Sequence, residues 1–295
     1  MIDLHIHTNC SDGSDDVLDI LKKARELNLS YISITDHDNC NAYNKLKNVD
    51  IKDYYKGTLI KGVELKTKVL GIAIELLGYG VDTDIINKEC EKMYPKFEEK
   101  NILEAAKLLE TCKKIGVKID NDILDKYDTK VHKYASSYIH SEIRKCEGNK
   151  RFFQSEKAWE DANYFYRHEI SNPSSKFYTD FIQMLPEIDE VIAVIKKAGG
   201  LVFVPHIFIY GENSLKIFDY LNKNYEIDGY ECYYSRFTKE QTEFLLKYCN
   251  ENNLYCSGGT DYHGALKPDI SLGIGMGNLS IPDDIINKWK KEVLI

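Results

Sequence analysis

No run of about 18 consecutive apolar residues occurs in this 295-residue chain, so no membrane span is expected. A basic region followed by an apolar stretch is also missing at the N-terminus, which enters strand-like sequence at once. No secretory signal is therefore expected, and a cytoplasmic location follows. Cysteines number eight (Cys10, Cys40, Cys90, Cys112, Cys146, Cys232, Cys249, Cys256), but no Cys-x-x-Cys pair exists, so they read as reduced thiols rather than a disulfide framework. An excess of positive charge is lacking too: the net charge is −8, which argues against tight binding to long duplex nucleic acid. It leaves room for a small phosphorylated substrate whose charge is met by metals. Internal repeats and low-complexity tracts are absent, and nothing marks an obligate protein partner.

What is present suits a soluble α/β protein, with 43% apolar and 29% charged residues. The length fits one large domain or a domain carrying an inserted subdomain. Strand and helix signals alternate over residues 1–100. Residues 2–7, 31–35, 59–65 and 70–79 read as strands. Val17, Leu18, Leu21, Ala24 and Leu27 form a helical stripe, with Ser14 placed as its N-cap. The alternation resumes over 186–295, with helices near 187–198, 214–223 and 239–252 and strands at 201–205, 227–233 and 254–257. Residues 101–185 are helical in pattern, rich in Lys, Glu and Tyr, and read as a helical insertion.

His5-x-His7 ends the first strand, so two imidazoles share one side of it. Asp261-x-His263 repeats that spacing after the last strand. Asp36-His37-Asp38, Glu64 and His206 each fall at or just past a predicted strand end, where barrel enzymes build their sites. A histidine on an apolar strand is more often packed than liganded, but two facing one way need partners or a metal. Asp12, in Ser-Asp-Gly, also reads as a turn residue. Glu64 reads as a carboxylate bridging two metals or as a solvated strand end. His132 sits in polar sequence, and His140 and His168 fall outside the scheme. Cys10 and Cys40 lie near these motifs, where oxygen and nitrogen donors already suffice.

His5-x-His7 with Ser11-Asp12-Gly13, Thr35-Asp36-His37-Asp38, Gly62-Val63-Glu64, His132, Pro205-His206 and Gly259-Thr260-Asp261-x-His263 together resemble the motif series of the PHP (polymerase and histidinol phosphatase) superfamily. The resemblance spans residue 2 to about residue 275 and is closest to the stand-alone nucleoside-bisphosphate and nucleotide phosphatases. It implies a distorted (βα)7 TIM-like barrel with a helical insertion, and a trinuclear centre. In that centre His5, His7, Glu64 and Asp261 hold one metal, Glu64 bridges to a second completed by His132 and His206, and Asp12, His37 and His263 hold the third. An aspartate at position 12 disfavours the histidinol-phosphatase branch, which typically has histidine there. Similar phosphatases read Arg-x-His-Phe-Ala where this chain reads Lys130-Val-His132-Lys-Tyr-Ala135. Lysine supplies charge there without the bidentate fork.

The implied cofactors are three divalent ions, Mn²⁺ first, with Fe²⁺ and Zn²⁺ as alternatives. Cations about 3.5–4 Å apart supply a hydroxide and offset phosphoryl charge in an in-line displacement. His206, His263 and Asp36 are the candidate catalytic groups, Asp36 and Asp38 orienting His37 or neighbouring ligands, unless Asp38 simply caps the next segment. Lys130 and Arg236 are candidate substrate contacts, although Arg236 also reads as an exposed loop residue. The expected function is phosphomonoester hydrolysis of a nucleoside 3′,5′-bisphosphate or 5′-monophosphate. The alternative is a 5′–3′ exonuclease on short single-stranded RNA or DNA. An amidohydrolase barrel also opens with His-x-His, but typically bridges its metals with a carbamylated lysine where this chain offers Glu64. A non-catalytic metal- or partner-binding barrel is set against the presence of all nine candidate ligands.

Overall fold

A computed structural model describes residues 1–128, 131, 132 and 134–293. The chain divides into two compact units, one of residues 1–93 with 185–295 and one of residues 94–184.

The first unit is built on seven strands: β1 (Ile2–Ile6), β2 (Tyr31–Ile34), β3 (Thr58–Val69), β4 (Ile72–Tyr79), β5 (Leu201–Val204), β6 (Gly229–Tyr234) and β7 (Tyr255–Gly259). They hydrogen-bond in sequence order. The ends of that order meet: Asp261 N donates to His5 O and His7 N to Tyr262 O, both at 2.9 Å, which nearly closes a barrel. Every residue of β1 is buried, as expected of a strand covered on both faces. Helices Val17–Glu26, Ile188–Lys197, Ser214–Asn224 and Lys239–Glu251 connect or flank the strands. The expected distorted (βα)7 TIM-like barrel is the observed fold.

The distortion has a definite source. Leu70 and Gly71 both take left-handed φ, 53° and 72°, and turn the chain back on itself. As a result β4 runs antiparallel to both β3 and β5, while the other neighbours pair in parallel. This turn also corrects one expectation: β3 continues to Val69, so Glu64 lies in mid-strand and not at a strand end. A second correction concerns the first helix. Its N-cap is Asp16, whose carboxylate accepts from Leu18 N at 3.1 Å, whereas Ser14 Oγ accepts from Ala265 N at 2.8 Å.

Trp289, near the C-terminus, is fully buried in a cluster with Ile2, Leu4, Tyr79 and Phe203. Its indole stacks on Tyr79 with ring centres 5.4 Å apart and donates from Nε1 to Cys256 O at 2.9 Å.

The second unit has its own core. The helix Phe97–Ile115 contributes Ala105, Leu108, Leu109 and Cys112, which gather with Tyr138, Ile139, Phe165 and Phe177. No strand occurs among its described residues. His140 is buried there, with Nε2 donating to Ala158 O at 2.9 Å, and His168 stacks on Tyr164.

Removing the indole should cost about 3–5 kcal/mol by cavity formation. Trp289→Ala is therefore expected to shift urea unfolding of the chain to markedly lower denaturant. An unshifted midpoint would mean that this cluster carries little of the fold.

Candidate metal centre

The strand order brings eight of the nine expected ligands to one place. His5 lies on β1 and His7 just past its end, Asp12 is on the loop that follows, His37 is in the segment after β2 and Glu64 is on β3. His206 follows β5, and Asp261 and His263 follow β7. Gly259 allows the closing approach, since a Cβ there would stand 2.3 Å from His5 Cβ. His206 and Asp261 hold positive φ, 28° and 58°, in the region where non-glycine residues are uncommon and strain gathers at functional sites.

Glu64 is the hub. Its Oε2 lies 3.1 Å from both His5 Nε2 and His7 Nε2 and 3.4 Å from His37 Nδ1, while Oε1 lies 3.0 Å from His206 Nε2. Asp261 Oδ1 is 3.4 Å from His7 Nε2 and 3.3 Å from His263 Nδ1. Asp12 faces His7, His37 and His263 at 3.5, 3.6 and 3.3 Å. Donor atoms thus converge in four overlapping sets that could hold a divalent ion: His7, Asp12, His37 and His263; His5, His7 and Asp261; His5, Glu64 and His206; and His37, Glu64 and Glu75.

The electrostatics follow from burial opposed by neighbours. Burial disfavours charge on His5, yet the Glu64 and Glu231 carboxylates override it and raise its pKa well above the ordinary value. The same opposition lifts His7 to about 9, through Asp261 and Glu64. Burial works against ionising Glu64 and Asp261 as well, but the surrounding imidazoles hold both well below the usual carboxylate range. His37 goes the other way, because burial dominates and keeps it low. Glu75 is raised to about 7, first by burial and then by the Glu64 charge.

A cation fits this donor set on an observation independent of charge. Both ring nitrogens of His7, and Nδ1 of His37 and of His206, are buried with no hydrogen-bond partner among the described residues. Buried polar atoms are ordinarily paired, and the His7 and His37 nitrogens left without a hydrogen bond beside Glu64, Asp261 and Asp12 are what a metal would satisfy. Two imidazoles are already aimed for ligation. His5 Nδ1 donates to Glu231 Oε1 at 2.9 Å, and His263 Nδ1 donates to the Asp261 carbonyl at 2.9 Å, so each turns Nε2 toward the carboxylates.

Several groups escaped the sequence reading. Glu231 also accepts from His206 N at 2.9 Å and so braces two ligand positions. Glu75 lies 3.5 Å from His206 Nε2 and 3.7 Å from His37 Nδ1. Asp3 accepts from Thr260 N, Thr260 Oγ1 and Gly273 N, tying β1 to the Asp261 loop. Lys267 Nζ and Tyr234 OH both donate to Asp261 Oδ2, at 2.6 and 3.1 Å. The only available signal was an acid inside an apolar strand, in Ile-Glu-Leu for Glu75 and Tyr-Glu-Cys for Glu231.

Other expected roles are placed differently. Asp36 does not meet His37; its carboxylate accepts from Thr8 N, Thr8 Oγ1 and Ser11 Oγ at 2.7, 2.7 and 2.5 Å, and so holds the loop carrying Asp12. Asp38 caps no helix with its side chain and instead accepts from Lys66 N at 2.9 Å. Arg236 pairs with Asp269 at 2.8 Å, both about half-exposed. His132 belongs to the second unit, half-buried, its ring 4.9 Å from that of Tyr138. Lys130 lies outside the described residues.

The PHP domain family model matches residues 3–172, more than half of the chain, and the chain belongs to that family. A protein of Haemophilus influenzae named 5′-3′ exoribonuclease is 25% identical over 298 residues, covering 98% of each chain. The crystal structure of a Bifidobacterium adolescentis protein, provisionally named a metal-dependent phosphoesterase, superposes with a TM-score of 0.64 at 22% identity, covering 99% of this chain and 96% of that one. An amidohydrolase from Chromobacterium violaceum, with bound sulfate and no metal, gives 0.63 at 17% identity, covering 99% and 95%. Both likenesses bear on the fold. No helix among the described residues is long and apolar enough to cross a membrane.

Neutralising the brace behind His5 should loosen the centre without dismantling it. Glu231→Gln is expected to weaken divalent-ion affinity by about 10–100-fold, the usual effect of losing an outer partner of a ligating histidine. Isothermal titration with Mn²⁺ reads this directly, and unchanged affinity would remove Glu231 from the account.

Proposed function

We propose that this member of the PHP domain family is a divalent-metal-dependent phosphoesterase that removes nucleotides from the 5′ end of short single-stranded RNA. The observation that carries the phosphoesterase reading is the cluster around Glu64, where unpartnered buried imidazole nitrogens face carboxylates. The full-length similarity to a protein named 5′-3′ exoribonuclease supports RNA as substrate. Hydrolysis of a nucleoside 3′,5′-bisphosphate or 5′-monophosphate is the second reading, favoured by the net charge of −8.

His5, His7, Glu64, Asp261, Asp12, His37, His263 and His206 would hold the ions, with His132 a proposed further ligand. Three ions, Mn²⁺ first, are the proposed complement of these overlapping donor sets. Bound there, divalent ions supply a hydroxide nucleophile at neutral pH and offset charge on the phosphoryl oxygens.

The chain's own groups do the rest. Glu64 presents its two oxygens to different imidazoles, as a bridging carboxylate must. Glu231 and the Asp261 carbonyl hold a proton on Nδ1 of His5 and His263, keeping each Nε2 available as a donor. Lys267 and Tyr234 occupy the outer oxygen of Asp261 and fix its inner one toward His7. Asp36 and Ser11 tether the loop so that Asp12 reaches His263. His206 and His263 are the proposed groups nearest the reacting phosphoryl group. Lys130 and Arg236 are proposed substrate contacts.

The test is a side-by-side assay of the Mn²⁺-loaded protein on adenosine 3′,5′-bisphosphate, AMP and a 5′-phosphorylated RNA tetranucleotide. Stepwise release of mononucleotides from the 5′ end of the tetramer is expected. Phosphate release from the small nucleotides alone would establish the second reading, and silence on all three would refute both readings and move the substrate search to other phosphoesters. His7→Ala should lower turnover by more than the roughly 10–100-fold that loss of an outer partner costs. Lys130→Ala is expected to raise KM or lower kcat with metal content unchanged; metal loss there would mean the position is misassigned.

A further inference from the structure

Three of the eight cysteines meet at one point of the first unit that shares no residue with the donor sets around Glu64. Cys232 lies on β6, Cys249 on the helix Lys239–Glu251 and Cys256 on β7. Their sulfur atoms all lie within 4.8 Å of one another, and Cys232 Sγ is 3.8 Å from Cys249 Sγ. Cys232 and Cys249 are fully buried, while Cys256 is half-buried and opens the cluster to solvent.

The backbone is shaped to aim one of these thiols. Glu231 pairs with Ser257 and Tyr233 with Gly258, so β6 advances two residues against one on β7 and is bulged at Cys232. A bulge of this kind re-aims a side chain and is a built feature of a sheet, not a defect. At this irregular point Glu231 meets His5 while the next side chain, Cys232, lies against Cys249.

The spacing, also that of a thiol–thiol hydrogen bond, excludes a formed disulfide and admits a shared ion. A disulfide needs its sulfurs about 2.05 Å apart. Zinc bound about 2.3 Å from each thiolate in a tetrahedral arrangement separates the sulfurs by about 3.8 Å. The Cys232–Cys249 separation of 3.8 Å matches the second figure. Cys256 is the member most easily deprotonated, because the Cys232 and Cys249 thiols donate toward it and Lys288 adds positive charge nearby.

We propose that Cys232, Cys249 and Cys256 form a trithiolate site for one thiophilic d¹⁰ cation, Zn²⁺ or Cu⁺. Sulfur donors select such ions over the Mn²⁺ or Mg²⁺ that oxygen-rich sites prefer. On binding, each thiol that ligates releases its proton to solvent, up to three in all, and no electron is transferred. The half-exposed side at Cys256 leaves zinc a fourth position for water; Cu⁺ would need only the three sulfurs. The inference does not depend on the phosphoesterase reading.

The test uses the full chain, reduced and freed of metal, titrated with Co²⁺ as a coloured stand-in for zinc and, anaerobically, with Cu⁺ against a chromophoric chelator. The barrel donors are nitrogen and oxygen, so a thiolate-to-cobalt charge-transfer band reports this site alone. The charge-transfer band should saturate with one Co²⁺ at the thiols, whatever further cobalt the barrel donors take, and one equivalent of Cu⁺ should bind. Any cobalt band should be discharged by one equivalent of Zn²⁺. Cys249→Ser and the milder Cys256→Ser should lose that binding while Mn²⁺ binding at the barrel is kept, which also shows that the variants are folded. Absence of both the cobalt band and copper binding in the unaltered chain would overturn the proposal. So would a charge-transfer band or copper binding that persists in both variants, or a mass two units low showing that two of the thiols form a disulfide.

Discussion

Five imidazoles and the carboxylates of Glu64, Asp261, Glu231 and Asp12 are packed together, most of them fully out of water. Burying a charge costs several kcal/mol unless an opposite charge and hydrogen bonds meet it. Glu64 is the group on which that compensation turns, because four imidazoles lean on its two oxygens. The rest of the first unit can be understood as what is needed to bring those groups together. β1 must lie beside the segment after β7, β3 must run past Glu64 to form the hairpin that supplies Glu75, and β6 must deliver Glu231 behind His5.

Much of this was legible in the sequence, for a physical reason. Ligands spaced i, i+2 at the end of an apolar run can only share one face of a strand, so His5-x-His7 and Asp261-x-His263 announce themselves. All seven strands were visible as apolar runs, although β3 runs on past the expected end at Leu65 to Val69. Glu75 and Glu231 were not, because a single acid inside an apolar strand carries no spacing signal and its partners are distant in sequence. Glu231 finds His5 226 residues away, a pairing that barrel closure alone creates. The direction of β4 was hidden too, since it hangs on the left-handed turn at Leu70-Gly71. Ser14 read as the cap of the first helix, and only the structure shows that Asp16 caps it while Ser14 receives Ala265 N.

The same strands serve two chemistries on opposite sides of one backbone. Along β6, Glu231 braces His5 and the adjacent Cys232 meets Cys249. Hard donors gather at the closing strand ends, and soft donors gather between β6, β7 and the helix Lys239–Glu251. Thiol and imidazole sites that share no residue would select different ions by ligand softness and not by affinity alone. The alternation of adjacent side chains along β6 is what lets one strand feed both.

The account rests on the cluster around Glu64 being a metal centre and not merely a buried ion-pair network. The direct measurement is elemental analysis of protein loaded with Mn²⁺ and then desalted, comparing the unaltered chain with His7→Ala. At least one tightly held manganese per unaltered chain is expected, and clearly less in His7→Ala. Manganese-free unaltered protein, or equal content in the two, would contradict it.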